Sequence, residues 1–581
     1  MRKDNDEAPL PQRASFKGWW TLLTPFWRSE KRLLASCLLV LLLAITFSQS
    51  YVRLALTHWM GSYRQAISQY QSGALPSLLI LYSEIFAVEI GVSLAISFLN
   101  ASLGITWRTW LTGRFLQRWM LGKGFYWIEQ ERLVDNPDQR ITEDIDLFVS
   151  LSLMLVLGLF GTMTSLFVFI PSLWRTSGSI VVHLGSHSMQ VGHYMVWLAF
   201  LYAGVTSFVV RYAGARLQPL TFRKQQLEAN FRFTMTGIRE NAEQIALLEG
   251  GPSEVSRLQR RFEDVRRNFW QLMYFNLRFQ PVTLAVALSA AVFASFALLP
   301  RYFAHQISFG EMTQQESAFA IVVSALQWFV QNFAGLQQYA VVVARLRGLD
   351  NAIRLGMTSK GPEYIRVRDA FINVTALALQ TPRGRLLLSD ASFCIRPGER
   401  WIIKGASGAG KSTLLRALAG IWHHGSGKVS VPIDGKVLFL PQKSYLPSGS
   451  LKAAICYPGE VDAFGNAQCR SALKACHLAS YAHSLDEVAD WGQRLSPGEQ
   501  QRLGFARVLL QAPNYVLMDE STSALDAENE AHLYRLLLRR LPFAAIVSVS
   551  HHRALDQYHD HTLALENGQA LPFKIFHHDT K

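Results

Sequence analysis

Charge is scarce in this 581-residue chain: Asp, Glu, Lys and Arg supply only 17% of it, against roughly one quarter in soluble proteins. That deficit argues against a wholly soluble enzyme and against a disordered or fibrous chain. Cysteine is scarce as well. Cys37, Cys394, Cys456, Cys469 and Cys476 form no Cys-x-x-Cys pair and no regular spacing, which argues against a disulfide framework or a zinc site. Acidic residues are outnumbered, 43 to 57 basic ones, for a net charge of +14. A basic chain can bind nucleic acid, but the distribution of the charge assigns it a different role. What is abundant is apolar: half of the residues are hydrophobic. The length leaves room for several domains.

The apolar residues concentrate in the first 345 positions. Six stretches reach the roughly 20 residues that a bilayer requires, at 33–56, 76–104, 147–171, 194–216, 281–300 and 312–344. Gln and Asn interrupt the last. The long apolar run and polar lead of the first, with no small-residue cleavage pattern after it, do not suit a cleaved signal peptide. Lys and Arg number seven in 1–32, six in 105–146, ten in 217–280 and four in 345–360. The alternate connections hold one each: Arg64, Arg175 and Arg301. Cationic loops stay on the cytoplasmic side, so both termini are expected there. The positive charge is a topology signal and nucleic acid is not an expected partner.

Ahead of the first span, Phe16, Trp19, Trp20, Leu22, Leu23, Phe26 and Trp27 lie among Lys17, Arg28, Lys31 and Arg32. The pattern suits a short helix in the lipid interface, within a cytoplasmic segment 1–32. Residues 217–280 are polar, with no Pro between Leu220 and Pro252, and read as helices extending into the cytoplasm. The membrane region is thus expected to span 33–345, a linker 346–365 and a soluble domain 366–581.

In that soluble part, a short strand around Trp401, Ile402 and Ile403 runs into Gly405, Ala406, Ser407, Gly408, Ala409, Gly410, Lys411, Ser412 and Thr413. This is a phosphate loop in its strand–loop–helix context. Its backbone N–H groups wrap phosphates at a helix N-terminus. Lys411 is expected to reach the β- and γ-phosphates, and Ser412 to hold Mg²⁺. About 108 residues later an apolar strand from Tyr515 ends in Asp519 and Glu520. Asp519 suits a Mg²⁺ anchor and Glu520 a base for the attacking water; a helix N-cap is the alternative.

Between and beyond these lie Gln442, the run Leu495-Ser-Pro-Gly-Glu-Gln-Gln-Arg502, Ser523-Ala-Leu-Asp526 and Val549-Ser-His551. Six motifs in this order resemble the nucleotide-binding domain of ABC transporters. The resemblance implies a six-span helical domain fused to an α/β nucleotide domain, with ATP and Mg²⁺ as cofactors. It also implies that Ser496, Gly498 and Glu499 belong to a signature loop completing the ATP site of a second subunit. Gln442 would link Mg²⁺ and water, His551 would touch the γ-phosphate, and Asp526 would lie at the contact between subunits. Two departures stand out. Pro497 replaces the usual glycine, and the strand expected to stack adenine has no aromatic, so Tyr457 is a substitute candidate or ordinary packing. His552 reads as a surface residue.

The segments 136–145, Asp490-Trp-Gly and Tyr445-Leu-Pro-Ser resemble the branch containing peroxisomal fatty-acyl-CoA transporters and bacterial uptake transporters for cobalamin, bleomycin and antimicrobial peptides. A homodimeric, ATP-driven transporter of bulky or amphipathic cargo (peptide, cobalamin-like or long-chain acyl) is therefore expected, in lipid and most simply in a bacterial inner membrane. An ATP-gated channel or regulatory ATPase is the alternative. Along the cargo path, Glu89 falls near the bilayer midplane and faces either a cavity or a structural partner; Glu84 is shallower. Gln327, Gln331, Ala334 and Gln338 share one helical face, toward a cavity or a second subunit.

Overall fold

The computed structural model describes residues 18–184, 187–358, 361–566 and 568–574. Phe16 and Lys17 of the expected interfacial helix lie outside them, with the rest of 1–17. The chain forms two units: Met1–Gly122 with Arg132–Ile353, and Lys123–Glu131 with Arg354–Lys581.

The first unit is helical. Among the described residues, five helices are long and apolar enough to cross a membrane. They contain Arg32–Ser68, Leu75–Met120, Ile145–Ser177, Tyr194–Ala213 and Gly251–Phe303. The sixth expected stretch departs from a single rod. It is divided into Phe309–Leu326, Trp328–Gln331 and Phe333–Thr358. Gln327 and Asn332 stand at the two breaks, while backbone bonds such as Asn332 N–H to the Trp328 carbonyl persist across them. Asn332 Nδ2 donates back to the Trp328 carbonyl at 2.9 Å, and Gln327 Nε2 donates to Thr206 Oγ1 at 2.7 Å. The expected four-residue stripe is therefore not one continuous face: Gln327 is held by a neighbouring helix, whereas Gln331, Ala334 and Gln338 are exposed.

A short helix, Trp20–Trp27, precedes the first long one. Its Phe26 is fully buried and stacks on Trp107 at 5.4 Å. The aromatic cluster read as an interfacial helix thus also grips Leu75–Met120. The 136–145 motif makes a second clip. Arg140, nearly buried, donates to the Asp135 carbonyl at 3.0 Å and the Arg345 carbonyl at 2.8 Å. Arg345 returns to Asp144 at 3.0 Å. One further feature is an antiparallel hairpin, Ser179–Leu184 with His187–Gly192.

Helix Phe333–Thr358 runs through much of the segment expected to be linker, 346–365. Leu346, Leu349, Ala352 and Ile353 are all buried at helical spacing, and that apolar face carries the helix onward. Residues 359–360 of the expected linker lie outside the described ones.

The second unit is α/β. A six-stranded sheet runs in the order Gln569–Lys574, His561–Glu566, Arg400–Gly405, Ala545–Val549, Tyr515–Asp519, Val437–Leu440. All but the first pair in parallel. A four-stranded sheet, Glu363–Val367, Gly425–Pro432, Ile372–Gln380 and Leu386–Ile395, lies beside it. The parallel strands are apolar on both faces, as sheets covered on both sides must be. Tyr515, Leu517, Val547 and Val549 pack into one core, and Val516, Met518 and Ile546 into the other. Helix Gly124–Gln130, from the connection after the second long helix, belongs to this unit rather than the membrane one. Lys123 Nζ donates to the Ala419 carbonyl at 2.8 Å, Trp127 stacks on His423 at 3.5 Å, and Glu131 meets His424 at 2.5 Å.

Candidate functional site

Pairing register builds the site. In the parallel ladder Asp519 lies beside Val549 and Met518 beside Leu440. The residues just beyond these strand ends, Glu520, His551 and Gln442, are therefore delivered to one edge, where ligands of parallel α/β sheets bind. Glu520 adopts φ +48°, an unusual region for a side chain with a Cβ. Its N–H donates to the Val549 carbonyl at 3.0 Å, which ties this turn to the adjacent strand. Gln442 Nε2 donates to Glu520 Oε2 at 3.2 Å, and His551 Nε2 lies 3.5 Å from Glu520 Oε1.

The phosphate loop forms the opposite wall. Gly408 and Gly410 have φ of +79° and +97°, which glycine adopts without steric cost. Helix Lys411–Leu418 starts here. Lys411 is nearly buried and folds over the loop, donating to the Gly405 and Ala406 carbonyls at 2.9 and 3.0 Å. Ser412 Oγ donates to Asp519 Oδ1 at 2.9 Å. Burial holds the Asp519 carboxyl above its usual range, against that hydrogen bond and the charge of Arg416; a cation beside it would reverse that balance. One carboxylate, one hydroxyl and a nearby amide are hard oxygen donors, a set that suits Mg²⁺ completed by substrate phosphates. Among the described residues no three His, Cys, Asp or Glu side chains gather as a site for a softer metal.

Ser496 caps helix Pro497–Gln511 in a capping box: the Glu499 N–H donates to Ser496 Oγ at 3.4 Å and the Ser496 N–H to Glu499 Oε2 at 2.9 Å. Pro497 occupies the first helical position, where a missing N–H leaves no bond unmade. Gly498 backs onto the next loop, since a Cβ there would meet the Ala524 carbonyl at 3.0 Å. Asp526 caps Ala527–Arg540 by accepting from the Asn529 N–H at 2.7 Å.

Three residues escaped the sequence reading. Buried Gln501 donates to the Gln442 carbonyl and Ser523 Oγ, both at 3.2 Å, and accepts from the Ala524 N–H at 2.9 Å. It knits three loops together, and its only signal was its place in the signature run. Buried Glu530 accepts from Thr522 Oγ1 at 2.6 Å. His552 is at the surface as expected; what escaped is that its Nδ1 lies 3.1 Å from both Glu530 oxygens. Tyr457 is not gathered with the phosphate loop: its ring meets Tyr445 at 5.4 Å and the Arg507 guanidinium at 5.5 Å.

Two family models match the chain, ABC transporter transmembrane region 2 over residues 22–303 and ABC transporter over 388–523. An uncharacterized ABC transporter ATP-binding protein of Haemophilus influenzae is 31% identical over 570 residues, 96% of this chain and 94% of that protein. The inner membrane ABC transporter ATP-binding protein YddA of Escherichia coli is 29% identical over 548 residues, covering 94% and 96%. The solved structure of a bacterial Atm1-family ABC exporter with ATP bound has the same fold, with a TM-score of 0.71 at 17% identity, covering 92% of this chain and 94% of that one.

A buried histidine beneath the His551 strand makes the domain sensitive to acid. His559 Nδ1–H donates to the Leu555 carbonyl at 2.8 Å, and Nε2 lies 2.9 Å from the Ser548 hydroxyl. Burial pushes its pKa from 6.5 down to about 4. Between those values the unfolded chain binds more protons than the folded one, so stability falls as pH falls. From pH 7 to about 5 the loss is expected to be about 2 kcal/mol. Hydrogen exchange of strand Ala545–Val549, corrected for intrinsic rate, reads it. His559→Gln should shrink the pH dependence, and an unchanged dependence would refute this cause.

Proposed function

The chain belongs to the ABC transporter family and is an ATPase coupled to transport through an integral membrane domain; from that premise we propose that it works as a homodimer moving bulky amphipathic cargo. The observation that carries the dimer is an apolar tip. In the polar extension 217–280, Phe233, Leu247 and Leu248 are 77–81% exposed. On the topology read from the positive loops this tip is cytoplasmic, and apolar side chains exposed there call for a partner surface. The self-contained signature helix agrees: every hydrogen bond of the Ser496 side chain goes to Glu499, leaving the loop available to a second chain's nucleotide.

In this reading Lys411 and the loop 405–413 hold the ATP phosphates. Ser412, Asp519 and Gln442 would hold Mg²⁺, which supplies charge neutralisation on the phosphates. Glu520 orients and deprotonates the attacking water, His551 contacts the γ-phosphate, and Ser496, Gly498 and Asp526 complete the site from the opposite subunit. Both sites of the homodimer are then competent. The termini lie in the cytoplasm of a bacterial inner membrane, and peptide, cobalamin-like and long-chain acyl compounds are the cargo classes to test.

Glu520→Gln is expected to keep ATP binding and to lower hydrolysis by about two orders of magnitude or more; turnover within about threefold of wild type removes Glu520 from the role. Shared sites have their own test. With Lys411→Ala in one chain and Ser496→Arg in the other, both lesions fall in one composite site and the other stays intact. With both lesions in one chain, each site carries one. Equal ATP occupancy in the two arrangements would refute the sandwich.

Glu89 is the membrane residue to test. Gln49 Nε2 donates to its Oε1 at 3.0 Å, while Oε2 is buried with no partner among the described residues. Such an oxygen supports a role in the cargo pathway. Glu89→Gln is expected to reduce transport, or cargo-stimulated ATPase, while basal ATPase and melting temperature persist. Unchanged transport ends the case for a charged contact at this position.

A further inference from the structure

We infer that Glu530, bridging Thr522 and His552, is a positioning residue for ATP hydrolysis that locks the turn carrying Glu520 to the turn carrying His551. The inference rests on the roles proposed for Glu520 and His551 and extends to a residue outside the recognised motifs. Glu530 lies in the first turn of helix Ala527–Arg540 and is only 3% exposed. A carboxylate so buried requires donors. It has two: the Thr522 hydroxyl at 2.6 Å and the His552 Nδ1–H, 3.1 Å from each oxygen.

Those donors come from the two loops that matter. Thr522 is buried and stands two residues beyond Glu520; His552 follows His551 directly. His551 Nε2 in turn lies 3.5 Å from Glu520 Oε1. The Ser550 hydroxyl accepts the His552 N–H at 3.1 Å and shapes the same turn. One carboxylate thereby fixes the spacing of the base and the phosphate-contacting histidine from beneath. Misplacing reacting groups by about 1 Å lowers rates by about 100-fold, so a clamp at this point acts on turnover and not on ATP affinity.

The test uses the full-length protein in lipid nanodiscs, with ATPase kinetics, binding of a fluorescent ATP analogue, and melting temperature. Glu530→Gln and His552→Ala are each expected to lower kcat about tenfold or more, with KM for ATP within about threefold. The double variant should be no worse than the weaker single one, because the two share one interaction. Two results overturn the inference: kcat within twofold in both single variants, or multiplicative losses in the double variant. A loss confined to melting temperature, with kcat per folded dimer preserved, overturns it as well. Glu520→Gln is the control. If that variant hydrolyses ATP like wild type, the site assignment falls and this inference with it; if it is inactive while Glu530→Gln is normal, the clamp alone falls.

Discussion

Two successive carboxylates at the end of one strand must point to different partners, and the rest of the nucleotide domain is arranged around that requirement. Asp519 continues the strand and reaches Ser412 at the phosphate loop. Glu520 turns into the left-handed region at φ +48° and reaches Gln442 and His551 on the two flanking strands. Backbone in that region is unfavourable by about 1–3 kcal/mol for residues with a Cβ. It persists because the Glu520 N–H is bound to Val549 and because Thr522, two residues on, is held by Glu530. Strain at the site is offset by hydrogen bonds next to it.

The membrane unit obeys a different constraint. Hydrocarbon offers no hydrogen bonds, so polar side chains on the long helices must find each other. Ser50 meets Thr164 at 3.0 Å, Gln49 meets Glu89 at 3.0 Å, Ser295 meets Glu316 at 2.5 Å and Gln327 meets Thr206 at 2.7 Å. The first three pairs join residues of two different helices and the fourth ties helix Tyr194–Ala213 to the break at Gln327, so each acts as a register pin that apolar packing alone would not supply. In Glu89 one oxygen is bound by Gln49 and the other is buried with no donor among the described residues.

Motif residues were legible because their chemistry demands particular side chains at close sequence spacing. Ser412 meets Asp519 and Gln442 meets Glu520, pairs distant in sequence that the motif order suggested. Glu530 was not legible, because an acidic residue in the first turn of a helix is ordinary N-terminal charge and only burial reveals it as something else. His552 is a surface residue as read, but its partner comes from a helix 22 residues away and is not legible locally. Helix Gly124–Gln130 reads locally as part of a membrane connection, and its contacts with Ala419, His423 and His424 are nearly 300 residues distant in sequence. The long apolar stretches identified the membrane helices, but not the division of the last one at Gln327 and Asn332.

Pro497 illustrates how a departure from a family pattern is absorbed by local structure. A glycine at this position brings conformational freedom that must be given up whenever the loop is ordered. Proline restricts the unfolded loop instead, and at a compatible position such a change is worth about 0.4–1 kcal/mol. The position is compatible: it is the first residue of the helix, the box between Ser496 and Glu499 closes over it, and no N–H is needed there. Only Gly498 must stay small, because the Ala524 carbonyl lies against it. The loop is therefore ordered by bonds within its own helix start, and the entropy of fixing it is spent in the folding of the domain.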